Sequence, residues 1–154
     1  MSIGQEIKSS VELSLNQKIV INLLKTGSWI NECSGDYFKQ YDLSMQQYNV
    51  LRILRGKKGE SANLSYVQER MISPMSNTTR LIEKLRLKGL LTRVLCENNR
   101  RKIEIDITDK GLDLLKEIDG TMDAHQESIT KNLTMKEIAL LNDLLTKIRI
   151  NKNK

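Results

Sequence analysis

Between residues 73 and 102 the chain reads SPMSNTTRLIEKLRLKGLLTRVLCENNRRK, and no other stretch limits its fold as strongly. Ser73 followed by Pro74 is a helix-start signal, the serine as N-cap and the proline at the first helical position. The predicted helix puts Leu81, Ile82 and Leu85 on one face and leaves Ser76, Asn77, Thr79, Arg80 and Lys84 on the other. Gly89 ends it. Two β-prone runs follow, 91–96 and 102–107. Glu97-Asn98-Asn99-Arg100-Arg101 joins them, a turn whose asparagines tolerate positive φ and whose tip is cationic.

From residue 75 to 102 there are eight Lys/Arg against two acids, and the rest of the chain carries seventeen of each sign. The whole formal charge of +6 therefore sits in this one stretch. A run of charge is often only a solvated face. Joined to a polar-faced helix and a basic-tipped hairpin, it matches the plan of a winged helix-turn-helix. The helix of such a unit fits a major groove and the hairpin reaches an adjacent minor groove or its phosphates. Double-stranded DNA is thus the expected partner. Ser76, Asn77, Thr79, Arg80, Lys84, Arg100 and Arg101 are the expected contacts.

The flanking segments are predicted to be helical. Ile7, Val11, Leu15, Ile19 and Leu23 recur every four residues, so 5–31 reads as one long amphipathic helix. The stripe packs either on its own domain or on a second subunit. Residues 35–41 form a short helix or turn. Trp29, Tyr37, Phe38, Tyr41 and Tyr48 make up five of the six aromatic residues. They either fill a core or line a cleft for a small aromatic effector. Ser44-Met45-Gln46-Gln47 is a capping box that opens a helix ending at the Gly56–Gly59 turn, and Ser65-Tyr66-Val67-Gln68 reads as a second. Leu64 is expected to bridge to the hairpin. Thr108 caps the next helix, with Leu112, Leu115, Ile118 and Met122 on one face. Thr134-Met135-Lys136-Glu137 is a third capping box. It opens a helix with Met135, Ile138, Leu141, Leu144, Leu145 and Ile148 as its stripe. The tail, 151–154, is polar.

A length of 154 residues suits one domain, and a single proline with eight glycines favours helix. No apolar run spans a bilayer, and the first ten residues lack the basic-then-apolar order of a secretory signal. The expected location is cytoplasmic, with no membrane partner. Cys33 and Cys96 fit no metal spacing, His125 stands alone, and no phosphate-binding glycine loop is present. No enzyme activity, cofactor or metal is therefore expected.

In order along the chain, several short segments resemble the MarR family of bacterial transcription regulators. Leu43-Ser44-Met45-Gln46-Gln47-Tyr48-Asn49-Val50-Leu51 resembles the family's Leu-Thr-x-x-Gln-x-x-x-Leu opening. Thr78-Thr79-Arg80-Leu81-Ile82-Glu83-Lys84-Leu85 resembles its recognition helix, and Lys88-Gly89-Leu90-Leu91-Thr92-Arg93 the step into the wing. Arg100-Arg101, then Ile107-Thr108-Asp109-Lys110-Gly111, resemble the wing tip and exit.

The resemblance implies a mainly α fold with a small hairpin wing. It places dimerisation helices at 5–33 and 112–150 and a DNA-binding lobe at 43–111. It implies a homodimer on a palindromic operator, usually a repressor, relieved by a small phenolic ligand or by thiol oxidation. The family's wing usually has Asp immediately before Arg-Arg; here that residue is Asn99, which can hydrogen-bond but not pair by charge. Two alternatives stand beside this reading. One is a winged-helix protein-interaction module without DNA binding. The other is a redox-sensing regulator using Cys96, with three arginines nearby in sequence, or Cys33, set among acids.

Overall fold

The computed structural model describes residues 1–150, and of residues 100 and 101 the backbone alone; the tail 151–154 lies outside the described residues. Residues divide into two compact units, Met1–Lys116 and the part from Glu117 onward.

The first unit contains α1 (Ile3–Glu6), α2 (Leu15–Lys39), α3 (Met45–Arg55), α4 (Leu64–Arg70), α5 (Thr78–Leu87), β1 (Leu91–Cys96), β2 (Asn99–Ile107) and the start of α6 (Asp109–Thr130). Its hub is α3, which packs against α2, α4, α5 and β2. That helix starts where the sequence says it should. The Ser44 hydroxyl accepts from the Gln47 N–H at 3.1 Å, and the Gln47 side chain accepts from the Ser44 N–H at 2.9 Å. Val50, Leu51, Ile53 and Leu54 are buried along it, and Val67, Ile82, Leu85, Leu91 and Ile105 complete the core. Each such aliphatic contributes about 1.5–3 kcal/mol by leaving water.

Gly89, at φ +72°, closes α5. Its N–H reaches the Arg86 carbonyl at 2.9 Å, and the Leu90 N–H reaches the Leu85 carbonyl at 3.0 Å. These are the two bonds of a Schellman motif, and the left-handed residue between them favours glycine. Leu90 is thereby turned into the core. β1 and β2 pair antiparallel, Leu91 opposite Ile107 and Arg93 opposite Ile105, with a register shift between Leu95 and Cys96. The Thr108 hydroxyl oxygen accepts from the Gly111 N–H at 3.1 Å and starts α6 as expected.

The second unit contains the remainder of α6 and α7 (Met135–Ile148). Thr134 and Glu137 form the expected capping box. None of the residues of α7 is buried, and Met135, Leu140, Leu141, Leu144 and Ile148 are exposed.

Several expectations are corrected. The helix expected over 5–31 is two helices. Lys8, at φ +53°, ends the first, and Ser14 caps the second by accepting from the Gln17 N–H at 3.3 Å. α1 folds back on α2 through a 2.7 Å Glu6–Lys25 ion pair. The four-residue apolar spacing runs across this break, so periodicity alone cannot see it. α2 then continues through Gly27 and Gly35 to Lys39, absorbing the short helix expected at 35–41.

The expected cap at Ser73 is displaced to Asn77, whose side-chain oxygen accepts from the Arg80 N–H at 3.1 Å. Ser73 instead accepts from the Ser76 N–H at 3.1 Å, making Pro74 the second residue of a turn, a position proline suits equally well. Likewise α4 is capped by Asn63, accepting from the Tyr66 N–H at 2.8 Å, rather than by Ser65. The bridge to the hairpin is made by Ala62, not Leu64: Ala62 and Ile105 exchange N–H···O bonds of 2.9 and 2.8 Å. β2 also begins at Asn99, three residues before the expected 102.

Candidate nucleic-acid interface

α5 is amphipathic by the spacing of what it buries. Thr78, Ile82 and Leu85 turn inward, three or four residues apart, and Thr79, Arg80 and Lys84 are left exposed. Ser76 and Asn77 stand just before the helix rather than on it. Asn77 uses its side-chain oxygen as the cap and keeps its amide N–H₂ group for another partner. Gln46, Ser76, Asn77, Arg80, Leu81 and Lys84 together line an open groove of about 300 Å³. The structure therefore brings four of the expected contacts into one groove, with Thr79 exposed beside them.

Gln46 is the residue that sequence reasoning missed. It reads as the filler of a capping box, yet its exposed carboxamide has no partner among the described residues and opens on the same groove as Arg80. A signal was present: the box uses Ser44 and Gln47, which leaves the polar residue between them unassigned.

The cations of α5 fall into two groups. Arg86 is held by Glu83 in a two-point contact, Nε at 3.0 Å and Nη2 at 2.7 Å. That hydrogen bond also keeps the Glu83 carboxyl below, and the Arg86 guanidinium above, their ordinary ranges. Lys88 pairs with the Asp42 carboxylate at 3.2 Å and donates to the Asp42 carbonyl. Its own carbonyl accepts from Lys110 Nζ at 2.8 Å, and the Thr108 hydroxyl donates to the Gly89 carbonyl at 2.7 Å. These bonds fasten the C-terminal end of the helix. Arg80, in the first turn, and Lys84, one turn further along the same face, have no ion pair among the described residues. The free positive charge of α5 is thus concentrated on the groove that also presents amide and hydroxyl groups.

In the hairpin, Leu91 and Ile105 are buried and anchor the strands, while Thr92, Arg93 and Lys102 are exposed. Ser61 donates to Asp106 at 2.8 Å and ties β2 to the segment before α4. The side chains of Arg100 and Arg101 lie outside the described residues.

The aromatic cluster is real but smaller than expected. Phe38 is buried and stacks on Tyr48 with ring centres 4.6 Å apart. Tyr37 meets Phe38 at 5.0 Å and Tyr41 at 5.6 Å, edge to face. Trp29, two turns earlier on α2 and 45 % exposed, takes no part in these ring pairs. Cys33 and Cys96 are both free and half-buried. No helix among the described residues is long and apolar enough to cross a membrane.

No family model matches the chain. A MarR transcription factor from Planctomyces limnophilus does match, at 32 % identity over 88 % of this chain and 98 % of that one, with a TM-score of 0.70. The chain belongs to the MarR family. A Bacillus subtilis member, the HTH-type transcriptional regulator MhqR, is 24 % identical over 87 % of this chain and 91 % of its own length. A cysteine-to-serine mutant of Escherichia coli MarR, solved in complex with operator DNA, shares the fold at 20 % identity, with a TM-score of 0.73 over 96 % of this chain and 99 % of that one. In this MarR-family chain α4 and α5 form the helix-turn-helix and β1–β2 the wing.

Proposed function

We propose that this MarR-family chain binds a palindromic operator as a homodimer and represses transcription until a small aromatic effector releases it. The observation that carries the DNA half is the groove along α5 and the turn before it. Arg80 and Lys84 are unpaired there, beside Ser76, Asn77, Thr79 and Gln46, whereas Arg86 and Lys88 are neutralised within the chain. Free cations contact phosphates, and amides and hydroxyls hydrogen-bond to base edges. A protein-interaction module has no use for that separation. The E. coli MarR mutant was solved in complex with operator DNA, which supports a duplex as the partner of this fold; in the proposed docking α5 enters the major groove and Arg100 and Arg101 on the wing reach the flanking minor groove.

Exposed apolar residues support the dimer. Leu15, Ile19, Val20 and Leu24 on α2, and Leu140, Leu141, Leu144 and Ile148 on α7, are left in water by a single chain. Segments 5–33 and 112–150 are accordingly assigned to dimerisation and 43–111 to the DNA-binding lobe. The effector half rests on Tyr37, Tyr41 and Tyr48, half-buried at the joint between α2 and α3, whose rings are the kind of surface a flat aromatic ligand stacks on. Such a ligand acts only through a difference in affinity between DNA-competent and incompetent forms.

A gel-shift with the DNA upstream of the protein's own gene, run over a salt series, tests the proposal. Log affinity should fall steeply with log salt, by roughly 0.9 for each phosphate neutralised. Salt-insensitive binding, or no preference over unrelated duplexes, would count against it. Titration of phenolic compounds with Trp29 fluorescence and operator affinity followed in parallel tests the effector. A compound that binds without changing operator affinity would leave a pocket and no switch.

A further inference from the structure

Beside the polar groove of α5 lies an apolar lip. Ile72 is 72 % exposed and Met75 93 % exposed. They flank Ser73 and Pro74 in a turn closed by the 3.1 Å bond from the Ser76 N–H to the Ser73 carbonyl. The turn is anchored from inside by buried Met71, whose sulfur accepts from the Asn49 amide at 3.7 Å. Ile72 and Met75 are therefore held out on a fixed turn that runs straight into the Asn77 cap. Gln46 joins the two surfaces: it lines the polar groove with Arg80, and it lines a small apolar cleft with Met45, Asn49, Met71 and Ile72. The lip is continuous with the face proposed to meet DNA.

A major groove offers one apolar group to such side chains, the C5-methyl of thymine. We infer that Ile72 and Met75 read thymine methyl groups at the edge of each half-site. This rests on the proposal that α5 enters the major groove. The unbranched Met75 side chain has the freedom to follow a methyl, and β-branched Ile72 offers a stiffer wall. The expected consequence is a preference for thymine at those positions that involves no hydrogen bond.

The test separates the methyl group from everything else in the base pair. A duplex selected from a random pool by the wild-type protein is rebuilt with deoxyuridine at every thymine, which keeps the pairing and removes only the methyls. Fluorescence anisotropy at one salt concentration compares the two duplexes for the wild type, for Met75→Ala, and for Ile72→Ala combined with Met75→Ala. Both residues are exposed, so alanine leaves the core untouched.

The wild type should lose about fourfold in affinity for each methyl it covers. The double variant should bind both duplexes alike. Equal affinity of the wild type for the two duplexes would overturn the inference and leave DNA binding by α5 intact. Discrimination undiminished in the double variant would do the same, because the methyl effect would then belong to DNA shape. Failure to select any duplex would overturn the DNA proposal, and the inference with it. A change in assembly state of the double variant by light scattering, with discrimination unchanged, would reassign the lip to protein contact.

Discussion

Replacing Gly111 with alanine should destabilise the protein, although its position in a helix argues the opposite. Gly111 lies in the first turn of α6, and glycine in a helix is normally about 0.5–1 kcal/mol worse than alanine. A Cβ at this position, however, would stand 2.3 Å from the Leu90 carbonyl oxygen and 2.7 Å from Ile107 Cγ1. The oxygen belongs to backbone that already accepts from the Thr108 N–H at 3.1 Å. It can retreat only by loosening that bond, a loss of about 0.5–1.5 kcal/mol. Overpacking against Leu90 and Ile107 adds about 1–3 kcal/mol.

Set against the gain in propensity, the net is a loss of about 2–3 kcal/mol, or a Tm lower by roughly 5–10 °C. Gly120, in the same helix, is the control: a Cβ there meets nothing within 4 Å, and Gly120→Ala should raise stability by about 0.5–1 kcal/mol. Urea and thermal unfolding of both variants at one protein concentration make the comparison, since a dimer's stability depends on concentration. If Gly111→Ala stabilised as much as Gly120→Ala, the close approach of the hairpin's ends to α6 would be wrong.

Other substitutions test the site and the assembly. Arg80→Ala should weaken operator binding and reduce the magnitude of the salt slope by about 1, whereas Arg86→Ala should change the slope little because Glu83 already holds that guanidinium; equal effects measured by anisotropy would refute the division of α5 into free and neutralised cations. Arg100→Ala or Arg101→Ala should weaken binding to most sequences alike, since minor-groove readout is degenerate, and unchanged affinity in both would remove the wing from the interface. Leu141→Asp or Leu144→Asp should split or unfold the dimer, and light scattering that finds the wild type monomeric at micromolar concentration would dispose of the claim. The Thr134 N–H and hydroxyl hold the Glu137 carboxyl below its ordinary value of 4.5, so the cap's contribution is present above that pH and lost as pH falls through the lower folded value. Helicity followed by circular dichroism through that acid range should show the loss in the wild type and less of it in Glu137→Gln.

What the sequence determined by itself is whatever depends on neighbours within a turn of chain. The capping boxes at Ser44 and Thr134 were legible because both partners lie three residues apart and satisfy each other's backbone groups. Gly89 was legible because only glycine takes φ +72° without strain, and the hairpin was legible from two β-prone runs around a polar turn. The concentration of net charge between residues 75 and 102 required only counting.

Tertiary structure decided between local signals of equal strength. Ser73 and Asn77 are both good caps, four residues apart. Asn77 is the one used in a fold that buries both Met71 and Thr78. Ile7, Val11 and Leu15 kept the period of one helix across a break that the fold-back of α1 on α2 requires. It also decided which cations remain available. Lys88 is neutralised by Asp42, 46 residues away, and Gln46 joins the groove of Arg80 from a different helix. Pairings at that separation leave no periodicity and no fixed spacing in the chain. They exist only once the core of α3, α5 and the hairpin has closed and set which polar side chains still face water.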